Sequence, residues 1–258
     1  MWMTNEELKS FLDDKAAFYN EKWFVLEDPV SIPHRFTKKE DIEIIAFLTA
    51  TLAWGQRKMI LKKCAELVSL MDNSPHEFLM QIDDSQLMRF NKFVYRTFNA
   101  SDTLYFLSAL KEIYTHSGGL ESIFTDGYKK HGHIKGALEY FRDVFLSFHP
   151  LPRTGKHVAN TTKDASAKRL NMFLRWMVRD DGIVDFGLWK GIPKSALMIP
   201  LDVHVGNVAR DLGMLHRKQN DWQSVEELTE QLRQFRPQDP AYYDFALFGL
   251  GVYESQKK

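Results

Sequence analysis

One cysteine, Cys64, stands in 258 residues, which excludes a disulfide within the chain and a four-cysteine iron–sulfur cluster. Cys64 reads as a small, buried apolar residue. Charge of one sign is equally lacking: 34 Lys and Arg face 34 Asp and Glu, so the chain as a whole has no attraction to a polyanion. No apolar stretch is long and uncharged enough to span a membrane, and MWMTNEELKSF is acidic where a signal peptide is basic and then apolar. A cytoplasmic protein without membrane contact is expected. Nine histidines fall in no HExxH, CxxC or related ligand spacing, and no P-loop, GxGxxG or GxSxG occurs. Metal catalysis, nucleotide hydrolysis, dinucleotide chemistry and α/β-hydrolase chemistry therefore have no motif behind them, and no metal or cofactor is expected.

What is present is helical periodicity. Hydrophobic residues make up 44% of the chain, enough for a sizeable core in a single domain over 1–258, with possible subdomains 37–148 and 149–258 and an N-terminal helix over 4–22. Neither an alternating strand pattern nor a repeat is visible, so the fold class is all-α. Thr4 to Glu7, Thr37 to Glu40 and Ser224 to Glu227 spell capping boxes ahead of apolar periodic runs. Further helices are predicted over Lys58–Met71, Asp102–His116, Ile134–Phe148, Ser166–Arg179, Asp202–Leu212 and Pro240–Tyr253. Asp28 to Arg35 reads as a polar, proline-broken connector, and His149 to Asp164 as a long loop of the kind that carries function.

Two helix starts bear chemistry. In IPLDVHVGNVARDLG, Val205, Val208, Ala209 and Leu212 mark one buried face, which sets Asp202 at the N-cap. Plain capping explains an aspartate there, since its side chain accepts from the first-turn amides and the helix dipole favours its charge. In ASAKRLNMFLRWM, Leu170, Phe173, Leu174 and Met177 form the buried stripe and Lys168 stands at the start, 34 residues before Asp202. Helix N-termini and apolar surroundings disfavour a protonated amine, and a neutral amine is a nucleophile.

A lysine-bearing helix followed by PxDVH opening another helix resembles the core of the helix-hairpin-helix DNA glycosylases, the superfamily of endonuclease III and the 8-oxoguanine glycosylases. IPLDVHVGNVA is similar to the aspartate segment of the 8-oxoguanine branch, and KRLNMFLR to the lysine helix of its archaeal members. These stretches cover about a tenth of the chain; over its full length the chain also resembles an uncharacterised bacterial family near that superfamily. The resemblance implies that Lys168 attacks the sugar C1′ and forms a Schiff base, that Asp202 stabilises the cationic sugar and assists proton transfer, and that His204 contacts a DNA phosphate. Ala165, Ser166 and Ala167 stand where the family has a glycine-rich hairpin. A closer hairpin match, LPRTGKHVAN, makes Lys156 a rival amine, although the helical context of Lys168 orders a side chain better.

Between Arg153 and Arg179 seven cations (Arg153, Lys156, Lys163, Lys168, Arg169, Arg175 and Arg179) face one acid, Asp164. This reads as a local phosphate-binding stripe, against the alternative of a solvated helix face. Gln56, after Trp54-Gly55, is a candidate to fill the space left by an extruded base, against a simple helix end at Gly55. Phe93, Tyr95 and Phe98 beside Arg96 offer stacking faces but read mainly as core, as do Tyr242, Tyr243, Phe245 and Phe248. The expectation is a DNA base-excision N-glycosylase with AP lyase activity on a flipped base, an oxidised purine by resemblance. The alternatives are a catalytically silent DNA binder of the same fold and an N-glycosidase acting on a free nucleoside or nucleotide.

Overall fold

The computed structural model describes residues 3–254. Among these no strand occurs, and the architecture is all-α, as the periodicity predicts. In chain order the helices are α1 (Asn5–Tyr19), α2 (Lys22–Glu27), α3 (Lys39–Leu52), α4 (Arg57–Leu70), α5 (Pro75–Gln81), α6 (Asp84–Leu87), α7 (Ala100–His116), α8 (Leu120–His131), α9 (Ile134–Phe145), α10 (Lys168–Val178), α11 (Val203–Asp211), α12 (Trp222–Phe235) and α13 (Asp244–Gly249). Short 3-10 turns join several of them, and Leu250–Glu254 continues α13 as a π-helix. No helix among the described residues is long and apolar enough to cross a membrane.

Two compact units result. Glu27–Asn160 form one; the residues up to Leu26 pack with those from Thr161 onward to form the other. The first has a phenylalanine core in which Phe47, Phe106, Phe141 and Phe145 meet at ring separations such as 4.8 Å for Phe106 and Phe145. Cys64 is buried there, and burial pushes its thiol up to about 12. The second has a tryptophan core: Trp176, Trp189 and Trp222 are sealed from solvent, and Phe173 meets Trp189 edge-on at 5.3 Å. Burying a ring of that size contributes about 2–3 kcal/mol each.

Helix starts follow local rules with two corrections. The Thr4–Glu7 capping box forms reciprocally, at 3.2 and 2.7 Å. Thr37–Glu40 does not: α3 is entered through Lys38, which puts Asp41 at the third position, and Asp41 accepts instead from the backbone of His76 at 2.7 Å. Ser224 likewise is no cap, because α12 is capped three residues earlier by Asp221, which accepts from the Ser224 amide at 3.1 Å. Asp is as good a cap as Ser, and the Ser224 hydroxyl is spent on the Gln219 carbonyl at 2.5 Å.

The two predicted connectors are built rather than loose. Asp28–Arg35 holds two 3-10 turns with Val30 and Ile32 buried, the first capped by Asp28. His149–Asp164 holds two more, with Thr154, His157, Val158 and Thr161 buried. The single helix expected over Pro240–Tyr253 changes gauge twice, from 3-10 through α to π. Glycines permit this. A methyl group on Gly249 would overlap the Tyr19 ring, and one on Gly251 would sit 2.9 Å from the His204 Cβ, so α13 and its π turn lie close against α1 on one side and α11 on the other.

Candidate functional site

Lys168 and Asp202 come together in the second unit. The Lys168 Nζ stands 3.8 Å from the Asp202 Oδ2, with both side chains about three-quarters buried. Each residue opens a helix. Asp202 caps α11 through its other oxygen, Oδ1, which accepts from the Val205 amide at 3.0 Å. Capping and proximity to the amine are therefore served by different oxygens of one carboxylate. Lys168 is the first residue of α10, where the helix dipole opposes an ammonium; the Asp202 charge is placed to offset that opposition. The Met172 sulfur, one turn on, accepts from Nζ at 3.5 Å.

Both helix starts are held from the loop between α11 and α12. Asp164 accepts at its carbonyl from the Trp222 amide at 2.9 Å, and Ala165 pairs with Asp221, which fixes the segment that leads into Lys168. Asn220 donates to the Asp202 carbonyl at 3.3 Å and accepts from Arg210 at 2.7 Å, while Arg210 also reaches the Arg217 carbonyl at 2.8 Å. Gly206 makes room, since a Cβ there would meet the Asn220 Oδ1 at 2.6 Å. Where the resembled family has a glycine hairpin, Ala167 itself adopts the left-handed conformation at φ 51°, ψ 32°.

Beyond Leu170, α10 is buried on every side through Val178, rather than showing the polar face its pattern suggests. The reason lies in two arginines. Arg175, expected at a DNA phosphate, is 4% exposed and bound to Asp244 and, at 3.3 Å, to Asp185. Arg179 binds Asp185, Asp181 at 2.9 Å and Asp239 at 3.0 Å. A buried guanidinium matched by carboxylates is not available to a phosphate, so both leave the basic stripe. Burial raises Asp244 to about 6, with the neighbouring Arg175 and Lys168 acting against that rise and the charges of Asp202 and Asp185 adding to it. Asp244 is thus a third ionisable group in the field of the Lys168–Asp202 pair, and its polar position on the apolar closing helix gave no sequence signal for that role.

The remaining candidates divide. His204 is exposed two residues beyond Asp202, and Lys163 is exposed on the turn before Lys168. Arg169 is half-buried beside Lys168, and burial lowers its guanidinium to about 10, still cationic at neutral pH. Arg153, Lys156 and Gln56 belong to the other unit. Lys156 is exposed; Arg153 is matched by the buried Asp102 at 3.0 Å, which also holds His157 at 3.2 Å and Thr154 at 3.0 Å. Gln56 is exposed at the start of α4, after Gly55 at φ 98°. Tyr95 donates to the Trp54 carbonyl and Arg96 lies 5.8 Å over the Trp54 ring, so this turn is braced, while Phe93, Tyr95 and Phe98 are core. Among the described residues no group of three His, Cys, Asp or Glu side chains could hold a metal ion.

No curated protein and no solved structure matches the chain. One family model does, over residues 28–253, a span that contains α3 to α13 and both Lys168 and Asp202, and the chain belongs to the family it describes, Protein of unknown function (DUF2400).

Proposed function

We propose that this protein is a DNA N-glycosylase with AP lyase activity, of the helix-hairpin-helix kind, and that Lys168 and Asp202 carry the reaction. The observation behind the reading is the approach of Nζ to Oδ2 at 3.8 Å between two helix starts that lie 34 residues apart in sequence. In the proposed reaction the C1′–N bond to the base breaks as the sugar gains oxocarbenium character, and the Asp202 carboxylate stabilises that charge. Lys168, its proton passed by way of Asp202 to the departing base, gives its electron pair to C1′. The proton that the attacking nitrogen sheds passes to the ring oxygen, whose bond to C1′ breaks and leaves an iminium on Nζ. Loss of a C2′ proton then expels the 3′ phosphate, and water returns the lysine. His204, Lys163 and Arg169 flank the pair in sequence within the same unit and are the side chains proposed to meet backbone phosphates.

Borohydride trapping on oligonucleotides carrying 8-oxoguanine, uracil, alkylated purine, thymine glycol or an abasic site tests this. A lesion-dependent crosslink lost in Lys168→Gln is expected. A crosslink that survives Lys168→Gln and disappears in Lys156→Gln would transfer the role to Lys156, and no crosslink with no base release would sink the reading.

A second reading is an N-glycosidase acting on a free nucleoside or nucleotide. The withdrawal of Arg175 and Arg179 into the interior favours it, because it thins the cationic surface a duplex needs. Base release from nucleosides but not from oligonucleotides selects it.

A further inference from the structure

Within the Glu27–Asn160 unit three stretches carry no acid: 44–65, 85–101 and 144–160. Nine Lys and Arg fall in them, although the chain as a whole is neutral. Four are matched, Arg57 by Glu27 at 4.0 Å, Lys63 by Glu66 at 2.8 Å, Arg89 by Asp72 at 2.7 Å and Arg153 by the buried Asp102 at 3.0 Å. The other five, Lys58, Lys62, Lys92, Arg96 and Lys156, are exposed and have no carboxylate within ion-pair distance among the described residues.

The fold joins these stretches into one surface. Tyr95 and Phe98 exchange backbone hydrogen bonds at 2.8 and 2.9 Å, which leaves Arg96 and Thr97 at the tip of a tight turn. Arg153 donates to the Thr97 carbonyl at 2.8 Å, the Arg96 guanidinium lies 5.8 Å over the Trp54 ring, and the Lys63 ammonium lies 5.3 Å over Phe93. His157 meets both Trp54 and Phe98, at ring separations of 6.0 and 4.9 Å. Arg96 is held at φ 54°, a left-handed conformation that persists in a residue with a side chain where its surroundings enforce it. Lys58 and Lys62 share a face of α4 one turn apart, where like charges repel. Unmatched cations gathered on a braced surface raise its potential and draw anions to it.

The arrangement narrows the anion. One phosphate is met by converging groups, whereas exposed cations from three separate segments suit a chain of phosphates. Phe93, Tyr95 and Phe98 are buried and Arg96 covers a face of Trp54, so the turns present charge rather than the stacking faces that single strands use. We propose that this surface holds the phosphate backbone of duplex DNA without reading its sequence, as an anchor separate from the Lys168–Asp202 pair. It extends the DNA reading above to residues that reading does not use, and it needs neither Lys168 nor Asp202.

Fluorescence anisotropy of the full chain with an undamaged duplex oligonucleotide, across a range of salt concentrations, tests this. Five phosphate contacts predict that the logarithm of the association constant falls with the logarithm of salt at a slope of about 4 to 5. Lys58→Ala, Lys62→Ala and Arg96→Gly should each reduce that slope by about 0.9, on duplexes of unrelated sequence alike. The lysines are exposed and glycine suits the left-handed backbone at position 96, so the variants should fold, which a melting curve verifies. A slope unchanged in all three variants, a single strand or heparin held more tightly than the duplex, or no binding at low salt overturns the proposal. Duplex binding in the natural chain and in Lys168→Gln, with no trapping on any lesion, removes the glycosylase reading and leaves the anchor standing. Lesion-dependent trapping that is indifferent to the three substitutions and to salt does the reverse.

Discussion

Asn220 donates its side-chain amide to the main-chain carbonyl of Asp202 at 3.3 Å, across eighteen residues of chain. Its oxygen is simultaneously fixed by Arg210 at 2.7 Å. The start of α11 is thereby positioned from outside its own helix. Asn220→Ala should cost about 1–2 kcal/mol in urea unfolding and, by letting Asp202 drift from Lys168, slow trapping about tenfold or more. Equal trapping rates with the expected loss of stability would confine Asn220 to a structural role.

Asp202 can be separated into cap and charge. Asn caps a helix as well as Asp does, so Asp202→Asn should unfold within about 0.5 kcal/mol of the natural chain, and Asp202→Ala should lose about 1 kcal/mol. Single-turnover base excision should fall about 100-fold or more in both. A natural rate in Asp202→Asn means that the carboxylate is a cap and nothing else.

Asp244 gives the protein a pH signature. Its folded pKa, raised to about 6 chiefly by burial, lies above the unfolded value near 3.9, so the folded state holds its proton more tightly than the unfolded chain does. Its contribution is fully present below about pH 4 and is lost as pH rises to about 6, on the order of 3 kcal/mol in all. Melting temperature measured across that window should carry a falling component in the natural chain that is absent in Asp244→Asn. Parallel curves for the two proteins would rule out Asp244 as its source.

Ala167 carries strain immediately before Lys168. A left-handed alanine costs about 1 kcal/mol, which glycine would relieve, less the extra freedom it adds to the unfolded chain. Ala167→Gly should raise stability by about 0.5 kcal/mol, and the β-branched Ala167→Val should lower it by more than 1 kcal/mol. If the valine variant is as stable as the natural chain, the backbone there is not held as described.

Long periodic helices were legible because a buried stripe repeats at helical spacing: α4, α7, α10 and α11 begin and end within two residues of their expected limits. Asp202 at its cap and Lys168 at its helix start were legible for the same reason. The capping boxes at Thr37 and Ser224 misled because α3 and α12 are entered at other residues, Lys38 and Asp221, while Asp41 is claimed by the distant His76 amide and the Ser224 hydroxyl by the Gln219 carbonyl five residues back. Arg175 and Arg179 misled more deeply. An arginine on a helix looks alike in sequence whether it meets a phosphate or a buried aspartate, and Asp185, Asp239 and Asp244 come from three later segments. The hold of Asn220 on Asp202 depends on a contact between distant segments that no periodicity encodes.

The burial of α10 beyond its first turn gives the proposed chemistry a division of labour. A lysine on a solvent-washed helix can reach for its target; one that projects from a helix buried beyond its first turn cannot carry its backbone along. Travel therefore falls to the substrate, which must bend, unstack or rotate its own sugar into line with a stationary amine. Selectivity for weakly stacked or damaged nucleotides would then arise before any pocket inspects the base, from how readily each nucleotide makes that journey.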